Sequence, residues 1–145
     1  MEIEYTQDME TTVAGSREVE HTADWQLHVW APNLLSLLEQ SARGMYQLSH
    51  THLCDDARLR REFELRVSDR EILIVDFLSE LLYYAEDENI AFDEFQLDIK
   101  ADILRAYAQG ALISSQAKEI KAVTYHGLEV QETENGLEVQ IVFDV

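Results

Sequence analysis

Basic residues are scarce in this chain. Eleven Lys and Arg stand against twenty-nine Asp and Glu, a formal net charge of −18, and the lysines are Lys100, Lys118 and Lys121 alone. Binding to RNA or DNA depends on cations that displace phosphate counterions, so the average surface repels nucleic acid and an anionic membrane. It attracts metal cations or a basic protein, although acidity also serves plain solubility. Arg58, Arg60, Arg61 and Arg66 form the one basic concentration, too small to reverse that balance. Cysteine is nearly absent too: Cys54 is the only one, which excludes an intrachain disulfide and a cysteine-rich zinc site. Its neighbours Asp55 and Asp56 disfavour the thiolate that a nucleophile needs, leaving a structural or tolerated cysteine. Five glycines supply no Gly-rich phosphate loop, no dinucleotide fingerprint and no nucleophile elbow, so an ordinary enzyme is disfavoured. The longest apolar run, residues 72–84, is interrupted by Asp76, Ser79 and Glu80 and is too short and polar to span a membrane. Residues 1–10 are acidic and lack the basic start and apolar stretch of a signal peptide, which reads as a cytosolic, cytoplasmic protein.

What is present fits a folded domain: 145 residues, 46% of them apolar, suffice for one core. Residues 1–15 lack periodicity and are expected to form a partly disordered acidic lead-in to a single domain over 16–145. Residues 16–20 and 25–30 read as strands. Asn33 is placed to cap a helix whose apolar positions are Leu34, Leu37, Leu38, Ala42, Met45 and Leu48, with Tyr46 beside the stripe. Residues 60–67 alternate as a half-buried strand. Ser68 or Asp69 then caps a second helix, apolar on more than one stripe and therefore central, which the acidic stretch 86–89 ends. Phe95, Leu97 and Ile99 alternate and are followed by 103–108, giving a hairpin. Residues 109–117 read as a small-residue loop. The last third reads as a strand over 122–130, a turn at Asn135-Gly136 and a strand over 137–143. The expectation is an α+β domain with a largely antiparallel sheet covered by two helices.

Three segments could carry chemistry. His21-Thr22-Ala23-Asp24 lies between two strands, where a carboxylate and an imidazole can hold a cation or orient a proton; an Asp that bonds its own backbone in a turn is the simpler reading. The end of the chain, Phe143-Asp144-Val145, converges the Asp144 carboxylate with the terminal carboxylate. With Asp24 these groups make a set of hard oxygen donors suited to Ca²⁺ or Mg²⁺. His21 suits those ions poorly but can orient Asp24 from behind. On spacing alone, a solvated Asp144 at a fraying strand end is the favoured reading. Lys121, opening the stretch Lys121-Ala122-Val123-Thr124-Tyr125-His126, either balances Glu119 or contacts a phosphate or carboxylate on a partner. Tyr125 and His126 fit packing at a strand edge. His50, His52, Asp55 and Asp56 look superficially metal-like but read as a solvated loop.

In this order, these segments resemble the archease family. The likeness is carried by His21-Thr22-Ala23-Asp24, by Asp76-Phe77-Leu78-Ser79-Glu80-Leu81-Leu82-Tyr83 in the second helix and by Phe92-Asp93-Glu94-Phe95 after it. Lys121 to Leu128 and the terminal Phe143-Asp144-Val145 complete it, so it spans residues 16–145. The resemblance implies an α+β domain of two strand–helix–strand–strand modules. It implies an accessory protein, not an enzyme, that promotes guanylylation and multiple turnover of the GTP-dependent RNA ligase joining 3′-phosphate to 5′-hydroxyl ends in tRNA splicing and RNA repair. It also implies a divalent cation, Ca²⁺ before Mg²⁺, on Asp24, Asp144 and Val145, with Lys121 matching the family's lysine as the candidate contact to the ligase or its nucleotide; beside these, His21 and His126 are candidates for supporting or partner-contacting residues. The acidic chain would dock on a basic ligase without binding nucleic acid directly. The alternatives are a general interaction module or chaperone for RNA-processing enzymes without an essential metal, and a metal-dependent hydrolase.

Overall fold

The computed structural model describes residues 13–19, 25–55 and 57–145. The expectations for the lead-in over residues 1–12, for His21 and Asp24 within residues 20–24, and for Asp56 lie outside the described residues.

Asn33 is extended, with φ −150° and ψ 174°, and its Oδ1 accepts the Ser36 N–H at 2.9 Å, which caps α1 (Leu34–Leu48). Leu37, Leu38, Ala42, Met45 and Leu48 are buried along one stripe, as their spacing predicts. Asp69 does the same for α2 (Arg70–Glu88), accepting the Ile72 N–H at 2.9 Å. That bond holds the Asp69 carboxyl below its ordinary value. Leu73, Ile74, Val75, Phe77, Leu78 and Leu81 are all buried, so α2 is enclosed on several sides through its first half. The helix ends within the acidic stretch, as the sequence predicts: Glu86, Asp87 and Glu88 are in its last turn, and Asn89, left-handed at φ 58°, caps it. Negative charge there opposes the helix dipole, and Arg61 offsets it through an ion pair of 2.6 Å to Glu88.

The strands are β1 (Gly15–Val19), β2 (Trp25–Ala31), β3 (His52–Leu53), β4 (Leu59–Arg66), β5 (Ile90–Lys100), β6 (Ile103–Ser115), β7 (Ala122–Val123), β8 (Gln131–Thr133) and β9 (Gly136–Asp144). Every described pairing is antiparallel, and the pairings divide between two sheets. One runs β1-β2-β9-β7 with β8 also on β9; in the other, β3, β4 and β5 all pair with β6. The α+β class, with antiparallel pairing and two helices, is as the sequence predicts. Each helix touches both sheets, α1 through β1, β2, β9 and β5, and α2 through β4, β5 and β7. The core therefore includes Phe77 of α2, Phe92 of β5 and Phe143 of β9 in one continuous cluster. No helix among the described residues is long and apolar enough to cross a membrane.

Two stretches depart from the sequence expectation. Residues 109–117 are not a loop, since β6 continues to Ser115. The small residues there answer a bulge in β5, where the register shifts between Phe92 and Glu94. A Cβ on Gly110 would lie 1.8 Å from the Ala91 carbonyl oxygen, so only glycine fits beneath the bulge. Residues 122–130 are not one strand. The chain leaves β7 after Val123, turns through Gly127 at φ 63° and re-enters the sheet as β8. The turn expected at Asn135-Gly136 is present one residue earlier: Thr133 pairs with Gly136, leaving Glu134 and Asn135 as the connection. Gly110→Ala is expected to destabilise the protein by about 2 kcal/mol or more through overpacking against backbone. A urea unfolding midpoint equal to that of the unmodified protein would contradict the close approach.

Candidate functional site

β9 is the strand that assembles the site. Phe143 pairs with Trp25 of β2 on one side and with Val123 of β7 on the other, and its ring is fully buried. Alternation then turns the next residue outward, so Asp144 is exposed, while Val145 is half-buried against the core. Asp144 pairs with Ala122, and its carbonyl accepts the Lys121 N–H at 2.8 Å. The main chain of Asp144 is thus fixed while its carboxylate faces solvent. Among the described residues that carboxylate has no cationic side chain within 4.0 Å.

Lys121 is brought to Asp144 by this backbone bond, and its side chain is exposed. It does not balance Glu119: among the described residues no ion pair joins them, and both line a cavity of about 230 Å³ with Leu82, Ala85, Glu86, Gln116 and Ile120. His126 is exposed in the turn after β7, and its N–H donates to Thr124 Oγ1 at 3.3 Å. Thr124 in turn donates twice to the Val142 carbonyl, from its N–H at 3.0 Å and its hydroxyl at 3.2 Å. The start of the same segment's return is held from below, where Glu71 of α2 accepts the Val130 N–H at 2.7 Å. Lys121, Asp144, Val145 and, through Thr124, His126 therefore belong to one end of the first sheet.

Among the described residues, no group of three or more His, Cys, Asp or Glu could hold a metal ion. Asp144 and Val145 supply oxygen donors of the hard type that Ca²⁺ and Mg²⁺ prefer, which is part of a donor set and not the whole of one. Asp24 and His21 lie outside the described residues. Covalent continuity nevertheless ties Asp24 to Trp25, whose strand partner Phe143 precedes Asp144. The His50 group is as solvated as its sequence suggests: His50 and His52 are exposed. His52 lies in β3 and not in a loop, and the Cys54 N–H donates to the Leu112 carbonyl at 2.8 Å.

Two features went unmarked by the sequence. Thr124 lies inside a stretch singled out for its neighbours, yet it is the residue that ties the turn to β9. His28 Nε2 and Glu138 Oε2 lie 3.1 Å apart across β2 and β9, with the His28 ring beside Trp30. No local signal could have paired residues so far separated in sequence.

The family model of the archease protein family matches residues 17–145. An archease of Methanosarcina mazei is 32% identical over 136 residues, covering 88% of this chain and 93% of the relative. One from Pyrococcus furiosus is 27% identical over 125 residues, covering 81% and 88% respectively. The crystal structure of an archease from Thermotoga maritima, described there as a possible chaperone, superposes with a TM-score of 0.68 at 21% identity, covering 89% of this chain and 96% of the other. The solution structure of protein 1598 from Methanobacterium thermoautotrophicum gives 0.67 at 22% identity, covering 90% and 99%. This chain belongs to the archease family.

Thr124→Val is expected to lower stability by about 1 kcal/mol, the net worth of the lost hydroxyl bond to Val142. Tyr125→Ala, which removes a side chain 57% exposed, is expected to change it by less than about 0.5 kcal/mol. Urea unfolding of the two variants checks the contrast, and equal effects would show that Thr124 does not hold the turn.

Proposed function

We propose that this protein is a metal-binding accessory factor of the GTP-dependent RNA ligase that joins 3′-phosphate to 5′-hydroxyl ends. In this reading it acts in the cytoplasm, promoting guanylylation of the ligase and its repeated turnover in tRNA splicing and RNA repair. Membership of the archease family supports the reading, and the observation that carries it is the exposed Asp144 carboxylate. That group sits on a clamped strand end beside Val145, and it has no described cation of its own. The last described pair of the β2–β9 ladder is Trp25 with Phe143, and the residues next in sequence on either strand are Asp24 and Asp144. Asp24, Asp144 and the main-chain oxygen of Val145 would hold the cation, Ca²⁺ or Mg²⁺. When bound, it supplies positive charge for phosphate groups in nucleotide transfer.

His21 orients Asp24 in this arrangement without binding the ion itself. Lys121 meets the ligase or its nucleotide with an ammonium that no described carboxylate neutralises, and His126 stands on the same end. The net charge of −18 favours encounter with a basic partner surface and disfavours direct contact with RNA.

The test uses a multiple-turnover ligation assay with the ligase alone, with the unmodified protein, and with Asp24→Ala or Asp144→Asn. Both variants are expected to reduce turnover to the rate of the ligase alone, with unfolding midpoints unchanged and calorimetric Ca²⁺ binding lost. Full stimulation by either variant would overturn the assignment. Stimulation that survives Asp24→Ala but falls steeply with salt would instead favour a general docking module without an essential metal.

A further inference from the structure

The long edge strand β5 pairs with β6 on one side, and among the described residues no strand covers its other side. A free edge presents unpaired N–H and C=O groups and invites another strand unless something blunts it. Here the bulge at Asp93 ends the regular backbone at one end, and the turn at Ala101-Asp102 ends it at the other. Between them Glu94-Phe95-Gln96-Leu97-Asp98-Ile99-Lys100 is regular strand with neither proline nor glycine. Its inward side chains, Phe95, Leu97 and Ile99, are only half-buried although they pack against the core. The edge thus exposes both backbone groups and apolar surface.

The geometry points to a second copy of this chain as the occupant, paired antiparallel to β5 about a two-fold axis at Leu97. In that register Leu97 faces Leu97 of the second copy, and Phe95 faces its Ile99. On the outer face Gln96 meets its Asp98, and Glu94 meets its Lys100. Every inward pair is apolar, and every outward pair is opposite in charge or joined by a hydrogen bond. Neighbouring registers fail. A slip of one residue sets inward side chains against outward ones. Moving the axis to Gln96 sets Glu94 against Asp98, and moving it to Asp98 sets that carboxylate against its own copy. Like charges directly opposite are destabilising, so of these registers the sequence favours the one centred on Leu97.

The charge of the surrounding face permits the approach. The exposed residues of β4, β5 and β6 include Arg60, Arg66, Lys100 and Arg105 against Glu62, Glu64, Asp93, Glu94 and Asp98, with Arg105 and Glu64 paired at 2.7 Å and Asp93 paired with the adjoining Arg58. This face is nearly neutral in a chain that is otherwise strongly acidic. Pairing there joins the sheets of two copies into one and makes an isologous contact, as closed dimers require.

Sedimentation velocity on the full chain at physiological ionic strength, where net repulsion is screened beyond about 8 Å, is expected to show a concentration-dependent dimer. Lys100→Glu or Glu94→Lys alone sets like charges opposite each other twice in the interface, and each is expected to weaken dimerisation about tenfold. An equimolar mixture of the two variants is expected to recover the original affinity as a heterodimer, because both pairs between positions 94 and 100 are again opposite in charge. That recovery distinguishes pairing from misfolding. A monomer at every concentration, a dimer indifferent to both substitutions, or a mixture that fails to recover would each overturn the proposal, including when the edge instead takes a strand from a different protein.

Discussion

β9 holds strands on both of its edges, and the candidate site follows from that confinement. β2 and β7 fix the backbone around Phe143 from opposite sides, and the Phe143 ring is sunk fully into the core. Burying a phenylalanine is worth roughly 1.5–3 kcal/mol relative to leaving it exposed, so the strand is anchored one residue from its end. The pleat then dictates that the next side chain points away from the core. Asp144 is a carboxylate on a rigid support, and the Lys121 N–H holds its carbonyl in place. Ordinary strand ends fray; this one is packed and paired on both edges.

The two helices make that support rigid at longer range. α1 lies on β1, β2 and β9 and also reaches β5, while α2 spans β4, β5 and β7. Neither sheet has a core of its own, so loosening one exposes the apolar stripe of a helix that the other also needs. Glu71 shows the coupling at a single atom. It sits in the first turn of α2, where the dipole favours a carboxylate, and it accepts the Val130 N–H of the segment that returns from the site to the first sheet. One carboxylate therefore serves helix and site segment together.

The sequence was most readable where structure is locally determined. Asn33 and Asp69 cap their helices through a bond to a residue three positions on, and the apolar stripes of α1 and α2 follow from spacing alone. The alternation in β4 and in the second half of β5 was equally plain. Residues 109–117 failed because Gly110 and Ala111 look like loop residues until the β5 bulge is known, and the bulge is a property of the partner strand. Residues 122–130 failed because Thr124 finds its bonds on Val142, which no window around Thr124 contains. Of the candidate site, Lys121, Asp144 and Val145 were named from the sequence and are brought to one end, but their proximity comes from the β7–β9 pairing and not from spacing. His28 and Glu138 went unseen for the same reason.

Acidity and scarcity of lysine look like a global property, yet the fold distributes them unevenly. The outer face of the β4–β6–β5 sheet carries exposed cations and anions in nearly equal number, which leaves most of the net negative charge to the remaining residues, Asp144 among them. A basic partner is attracted there, and a second copy of the chain is least repelled at the nearly neutral face. One charge distribution thus separates two surfaces by the partners they favour. Cations gathered on a neutral face are already matched by carboxylates and release few counterions from a phosphate backbone, so that face attracts nucleic acid only weakly.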